Sequence, residues 1–293
     1  MKKKIAHIIN PFNASPNSDL YTAQPITFAS MVNAREDALP IMDIELLTAQ
    51  FEEDENMVPD GFRKTKNLNR SVLDNGNFTK KMKLPILVDI LQRMHDESDA
   101  EYLIYTNVDI GLYSDFYRRV NDFIDDGLDA FIINRRRLSA GYISVDDLSK
   151  IYIDKGKKHP GFDCFVFHRD LFPKFHLKEV CIGVPFIGIT LSQNIFALSK
   201  KFKLFENEIL TFHIGMEIMK GRAPREYYNY NQKQFWSAMN SPLREHLSSK
   251  KLPYSQLILP FRLIKWGLQP SIPIRLAIRL ELKRLVNYFK GNR

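Results

Sequence analysis

Six short apolar runs, spaced by stretches of helical periodicity, constrain what this chain can fold into. They span residues 4–9, 41–47, 101–106, 129–134, 162–167 and 203–205. The first, Lys4-Ile5-Ala6-His7-Ile8-Ile9, is closed by Asn10-Pro11. Helical signatures fall between the runs at 25–33, 84–94, 114–124 and 186–198. In the second of these, Ile86, Leu87, Ile90, Leu91 and Met94 share one face, with Pro85 in the first turn. Ser114 stands where it can cap the third, whose Phe116, Val120, Phe123 and Ile124 point inward. Strands alternating with helices predict an α/β domain with a mixed, mostly parallel sheet flanked by helices. Residues 52–80 are polar and irregular, with turn signals at Asp60-Gly61 and Asn75-Gly76. A loop that long in a compact domain is usually functional or mobile.

The pattern changes after residue 220. Pro242, Pro253, Pro260, Pro270 and Pro273 interrupt the chain before a last helix predicted over 274–289. Charge changes there too. The whole chain of 293 residues carries a formal +8. Residues 221–293 hold 14 Lys+Arg against Glu226, Glu245 and Glu281, which is +11, so residues 1–220 sum to −3. The expectation is a catalytic body over 1–220 and a basic helical C-terminal extension over 221–293. In the last helix Ile274, Ile278, Leu282 and Leu285 share a face, with Arg275, Arg279, Lys283, Arg284 and Lys290 at its flanks. Such a helix can lie on an anionic membrane surface through 270–293, or pack on the domain with a solvated basic face. No run of 18 apolar residues suggests a transmembrane helix, and the apolar stretch after Met1 is too short for a signal peptide. The two cysteines, Cys164 and Cys181, make no disulfide framework and read as core thiols. A cytoplasmic compartment is expected.

Candidate chemistry gathers where the runs end. Tyr105-Thr106-Asn107-Val108-Asp109 closes the third run, and open α/β sheets bind ligands at the carboxyl ends of their strands. On a continuing strand Asn107 and Asp109 would point the same way and offer oxygens to a hard divalent cation. The same residues also suit an Asn/Asp turn. His213, within Thr211-Phe212-His213-Ile214-Gly215, is a second ligand candidate or a structural histidine; the small Gly215 would let the backbone approach a phosphate. Asp163 interrupts an apolar strand, and a carboxylate there must be hydrogen-bonded, paired or functional. It can serve as base toward an acceptor hydroxyl or hold a loop. Arg135-Arg136-Arg137 can clamp phosphate or form a solvated charge run, and Lys80, Lys81 and Lys83 share that ambiguity. His159 is a substrate contact or a polar loop residue. The phosphate-loop, dinucleotide-binding and nucleophile-elbow glycine motifs are missing from the sequence.

Together these segments resemble the nucleotide-sugar-dependent glycosyltransferases of the GT-A type, and within them a group of bacterial proteins. The matching pieces are Ile8-Ile9-Asn10-Pro11, Lys83-Leu84-Pro85, the Tyr-Thr-Asn-Val-Asp segment and Ile133-Asn134-Arg135-Arg136. After them come residues 159–167, Cys181-Ile182-Gly183 and the Thr-Phe-His-Ile-Gly segment, so that the resemblance covers roughly residues 4–217. It implies a Rossmann-like GT-A domain whose Asp-x-Asp-type motif holds Mn²⁺ or Mg²⁺. Asp109 matches the last acid of that motif, Asn107 replaces the first, and His213 matches a ligand that completes the metal site. Asn10 and Pro11 match the place that holds the nucleotide base, and Asp163 lies near the acceptor. Arg135 and Arg136 would assist the diphosphate. The implied activity is transfer from a nucleoside-diphosphate sugar to a saccharide or lipid-linked acceptor in polysaccharide or lipopolysaccharide synthesis, peripheral on the inner face of the membrane. Two alternatives stand beside it. A sugar-1-phosphate nucleotidyltransferase usually carries a Gly-rich N-terminal loop, and Ile9-Asn10-Pro11-Phe12-Asn13-Ala14 has no Gly. A non-catalytic nucleotide-sugar or nucleic-acid binding module suits the basic tail, but the acidic body and the missing RNA-binding aromatic motif weigh against nucleic acid.

Overall fold

In a computed structural model of the chain, residues 2–214 and 224–291 are described, except the side chains of 289–291. The apolar runs form the spine of one nine-stranded sheet. Strand β1 (Lys3–Ile9) pairs in parallel with β2 (Met42–Thr48) on one side and β4 (Tyr102–Thr106) on the other. β3 (Arg63–Lys64) extends the β2 edge. Beyond β4 lie β7 (Lys157–His168), β6 (Ala130–Arg137), β9 (Thr211–His213) and β5 (Gly111–Leu112), and β8 (Phe202–Phe205) pairs with β6. β7 runs antiparallel to both β4 and β6. Five of the eight pairings among the described residues are parallel, so the sheet is mixed and mostly parallel.

Side-chain alternation along β1 splits the core into two layers. Ile5 and Ile9 pack with Phe28 and Met31 of α1 (Asp19–Ala38) and with Phe116 and Val120 of α3 (Phe116–Asp125). Ala6 and Ile8 face the other way, onto Leu87, Ile90 and Leu91 of α2 (Leu87–Glu97) and Leu191 and Ile195 of α5 (Ile187–Leu198). Burial of each such side chain contributes about 1.5–3 kcal/mol. His7 falls on the α3 face, where its ring bridges Tyr117 Oη at 2.8 Å and Thr106 Oγ1 at 2.9 Å.

The expected strands are all present, some with different ends. β6 continues through Arg137, so the three arginines sit on the strand and not beyond it. β7 begins at Lys157, five residues before its apolar stretch, and includes His159, Pro160 and Gly161. α3 starts at Phe116 with Asp115 before it, and Ser114 makes no cap. The short helix α4 (Leu148–Ile151) precedes β7.

The C-terminal segment holds α6 (Arg225–Met239), α7 (Leu243–His246), α8 (Leu259–Leu268) and α9 (Ile274–Gly291). Phe235, Met239, Trp266 and Leu276 belong to the same buried cluster as Leu191 and Phe196 of α5. The helices expected as an extension therefore share the core of the body. The boundary expected near residue 220, and Gly215, lie outside the described residues. α6 also pins the 52–80 segment. Phe78 stacks on Tyr227 with ring centroids 4.1 Å apart, and Glu226 accepts from the Thr79 and Lys80 N–H groups.

Candidate active site

The topology brings the main candidate residues to the same end of the sheet. Asn10 follows the carboxyl end of β1, and Asn107 and Asp109 follow that of β4. β6 and β9 run parallel to each other and carry Arg135 and His213 near their carboxyl ends. β7 is antiparallel, so its beginning, with His159 and Asp163, reaches the same edge.

Asp163 owes its position to a break in register. Ile133 pairs with Cys164 and Asn134 with Phe162, which leaves Asp163 as the extra residue of a bulge. Bulges re-aim side chains beside active sites. Asp163 Oδ1 meets Arg135 Nη1 at 2.5 Å, and both side chains are nearly buried. Its Oδ2 is buried without a hydrogen-bond partner. Burial raises the Asp163 pKa against the pull of Arg135, with the Asp109 charge adding to the rise.

Asp109 Oδ2 lies 3.1 Å from His213 Nε2, and His213 Nδ1 is buried without a partner. Burial pushes the Asp109 pKa up, but the His213 hydrogen bond and charge, with Arg135, bring it below its ordinary value. The two carboxylates are thus driven apart, Asp109 toward the ionised form and Asp163 toward the protonated one. Opposed shifts of this kind separate an electrostatic partner from a proton-transfer group. His159 joins the cluster: burial and then the charges of Arg135, Arg137 and His213 lower its pKa to about 4. The Gly161 N–H donates to His159 Nδ1 at 2.9 Å, which leaves the proton of the neutral ring on Nε2.

Of three comparisons with known proteins, one found a match, and it bears on the fold. No family model matches the sequence, and no curated protein matches it. Among solved structures, residues 1–349 of S. aureus TarS, in complex with UDP-GlcNAc, match at 9% identity and a TM-score of 0.50. That match covers 94% of this chain and 83% of the other. Glucosyl-3-phosphoglycerate synthase from Mycobacterium tuberculosis, with phosphoglyceric acid, matches at 11% identity and a TM-score of 0.43, covering 80% of each chain. The fold assignment rests on the first of these. The fold is of the GT-A type. The 94% span reaches into the C-terminal segment, where the sequence resemblance stops near residue 217.

Within this GT-A sheet the predicted site residues divide. Asp109, His213, Asp163, Arg135 and His159 come together. Asn107 does not continue the strand: it opens a turn closed by the Ile110 N–H on its carbonyl, and its Oδ1 accepts from Tyr105 Oη at 2.9 Å. The strand-based reason for pairing Asn107 with Asp109 therefore fails. Arg136 is turned away, its guanidinium donating to the Lys155 and Gly156 carbonyls at 2.7 and 2.8 Å. Asn10 is buried and donates to the Ala49 carbonyl at 2.5 Å, tying the β1 and β2 ends together; Pro11 is buried beside it. Lys83 pairs with Glu53 at 2.5 Å and sits 4.2 Å from the centre of the Phe51 ring. The sequence reading missed Gln24, which exchanges two hydrogen bonds with the Phe12 backbone, and Asp54, which accepts from the Asn13 N–H at 2.9 Å. Both shape the loop after β1. Their only signal was a polar residue on a face that turns out to be buried.

A cation has two protein ligands on offer, Asp109 Oδ2 and His213 Nε2. Among the described residues no three His, Cys, Asp or Glu groups could hold a metal by themselves. A hard divalent cation held by these two residues would need its further ligands from a bound substrate and water.

Proposed function

We propose that the protein is a glycosyltransferase that moves a sugar from a nucleoside-diphosphate sugar to a hydroxyl acceptor. The observation that carries this reading is the convergence of Asp109, His213, Arg135 and Asp163 at the carboxyl edge of a GT-A sheet. TarS was solved with UDP-GlcNAc, which makes a UDP-sugar the first donor to test. The loop from Asn10 to Asn13 holds the base end of the nucleotide. The diphosphate lies toward Asp109, His213 and Arg135.

The reaction makes a bond from the acceptor oxygen to the anomeric carbon and breaks the bond from that carbon to the diphosphate oxygen. The electron pair leaves with the nucleoside diphosphate, and Arg135 offers fixed positive charge where it develops. The acceptor proton goes to the unpartnered Oδ2 of Asp163, while His159 Nε2–H donates to an acceptor or sugar oxygen. A base in this role corresponds to displacement with inversion. Mn²⁺ or Mg²⁺, held by Asp109 and His213, supplies further neutralising charge to the diphosphate when bound. The finer reading places the acceptor, saccharide or lipid-linked, in cell-surface polysaccharide or lipopolysaccharide synthesis at the inner face of the membrane. The +11 of residues 221–293 supports it.

A thermal-shift panel of nucleoside diphosphates, each with and without Mn²⁺, tests the reading directly. At least one is expected to stabilise the protein, and UDP is the first candidate. No stabilisation by any of them would sink the glycosyltransferase assignment.

A further inference from the structure

The helices α8 and α9 are apolar on two sides, and the core uses only one. α9 packs through Leu276, Ala277 and Leu280, all buried. This leaves Ile274, Ile278, Leu282 and Leu285, the stripe read from the sequence, facing outward, with Leu282 57% exposed. α8 packs through Arg262 and Trp266. Opposite them, at the i, i+3, i+7 spacing of one helical face, Phe261 is 60% exposed, Ile264 57% and Leu268 74%. Seven large apolar side chains on two neighbouring helices thus find no cover within the described residues. Exposed apolar stripes on two adjoining helices mark a candidate interaction site.

Charge identifies what covers it. From residue 247 to the end of the sequence the only acid is Glu281. It is buried, paired with Arg262 Nη2 at 2.7 Å, and ties the two helices together. Lys265, Arg275, Arg279 and Lys283 are exposed on the same helices as the apolar stripes, with Arg275 over the Trp236 ring, Arg279 donating to Asn240 Oδ1 and Lys265 beside Tyr254 at the flank of the surface. The surface therefore presents apolar and cationic groups, with no exposed carboxylate among its described residues. A second copy of the chain on a twofold axis would set these cations against one another. Anionic phospholipid headgroups above an acyl layer complement both features. No helix among the described residues is long and apolar enough to cross a membrane, so the contact is interfacial.

We propose that the α8–α9 hairpin is a membrane-docking surface that inserts Phe261, Ile264, Leu268, Ile278 and Leu282 into an anionic phospholipid interface. The turn between the helices reaches the active site edge: the Phe162 N–H, next to Asp163, donates to Ser271 Oγ at 3.2 Å. Docking would bring the Asp163 end of β7 toward the lipid. Any bearing of this on an acceptor rests on the glycosyltransferase reading; the docking does not.

Sedimentation of the full chain with vesicles tests the surface. Phosphatidylcholine vesicles mixed with phosphatidylglycerol are expected to carry the protein down, and pure phosphatidylcholine vesicles to leave it in solution. Phe261→Ser/Ile264→Ser/Leu268→Ser should abolish sedimentation while melting with the parent, because these side chains are exposed. Arg275→Gln/Arg279→Gln/Lys283→Gln should weaken partitioning roughly fivefold per charge removed, on the order of a hundredfold together. Equal partitioning onto both vesicle types, or partitioning unchanged in both variants, would overturn the proposal. So would a lipid-free dimer that the serine variant dissolves, since the surface would then be a self-association face. UDP-dependent stabilisation, read on the same preparations without lipid, reports the donor site separately.

Discussion

Arg135 and Asp163 form an almost fully buried ion pair of 2.5 Å, and Asp163 is the extra residue of the β6–β7 bulge. Among the described residues each is the other's direct side-chain partner, with Asp109 and His213 the next charged groups around them. Removing one leaves a buried charge uncompensated, which costs about 3–5 kcal/mol. Arg135→Met is expected to lower the unfolding free energy measured in urea by that amount, and the double variant Arg135→Met/Asp163→Leu to recover most of it. A double variant as unstable as the single would show that the pair is not the source of the loss.

Asp163→Asn addresses the chemistry at the same position. Loss of a general base typically costs about 10²–10⁴ in kcat. Burial raises the Asp163 pKa, so its basic form disappears as pH falls through a value above the ordinary carboxylate range. The parent enzyme should show that acid limb in kcat/KM, and the asparagine variant should lack it. The stability sign runs the other way: an acid with a raised folded pKa favours the folded state at low pH and loses that contribution as pH rises through the folded pKa. Identical acid limbs in parent and variant would remove Asp163 from the proton transfer.

Asp109 faces His213 at 3.1 Å. Asp109→Ala should abolish stabilisation by a nucleoside diphosphate with Mn²⁺, a loss of about 2.7 kcal/mol at a hundredfold excess over Kd. His213→Ala should reduce it in the same direction. Full retention of the Mn²⁺-dependent part in both variants would exclude these two residues as cation ligands.

His7 gives a pH signature unrelated to catalysis. Full burial lowers its pKa to about 3, and Tyr117 and Thr106 hold the neutral ring. The unfolded chain protonates this histidine near 6.5, so stability is retained above that pH and falls as pH drops from 6.5 toward 3. The slope reaches about 1.4 kcal/mol per pH unit. Urea unfolding at several pH values should show it in the parent, and His7→Asn should flatten it. A slope that survives the substitution would assign it to other groups.

Tyr227 anchors the 52–80 segment. Its hydroxyl donates to the Lys80 carbonyl at 2.7 Å and accepts from the Met82 N–H at 2.9 Å, while its ring stacks on Phe78. Tyr227→Ala should cost about 3–5 kcal/mol and open that segment to limited proteolysis. Tyr227→Phe keeps the stack and should cost only the hydrogen bonds, about 1–3 kcal/mol.

Much of this frame was legible in the sequence for a physical reason. β4 and most of β1 are buried on both faces, so they appear as unbroken apolar runs, whereas β2 alternates, with Asp43 exposed and Glu45 half-buried. β5 and β9, two and three residues long, are too short for any periodicity. The first turns of β7 hide behind Pro160 and Gly161, residues that normally end strands. α8 was obscured in the same way, because Pro260 looks like an interruption and is in fact a residue of its first turn. In the site, Asp109, His213 and Asp163 were recognisable one by one. Their meeting depends on an antiparallel β7, which linear order does not encode. Arg135 and Arg136 could be told apart only once β6 was known to run through both, since successive strand residues face opposite ways.

The hydrogen bond from Phe162 to Ser271, together with the Trp266 ring buried in the shared core, gives the candidate site edge two owners far apart in the chain. A chimera joining the first 220 residues to the tail of a distant relative would misalign the strand that carries Asp163, even with every catalytic side chain retained. A change at Ser271 therefore acts on β7 directly, although the two lie 109 residues apart in the chain.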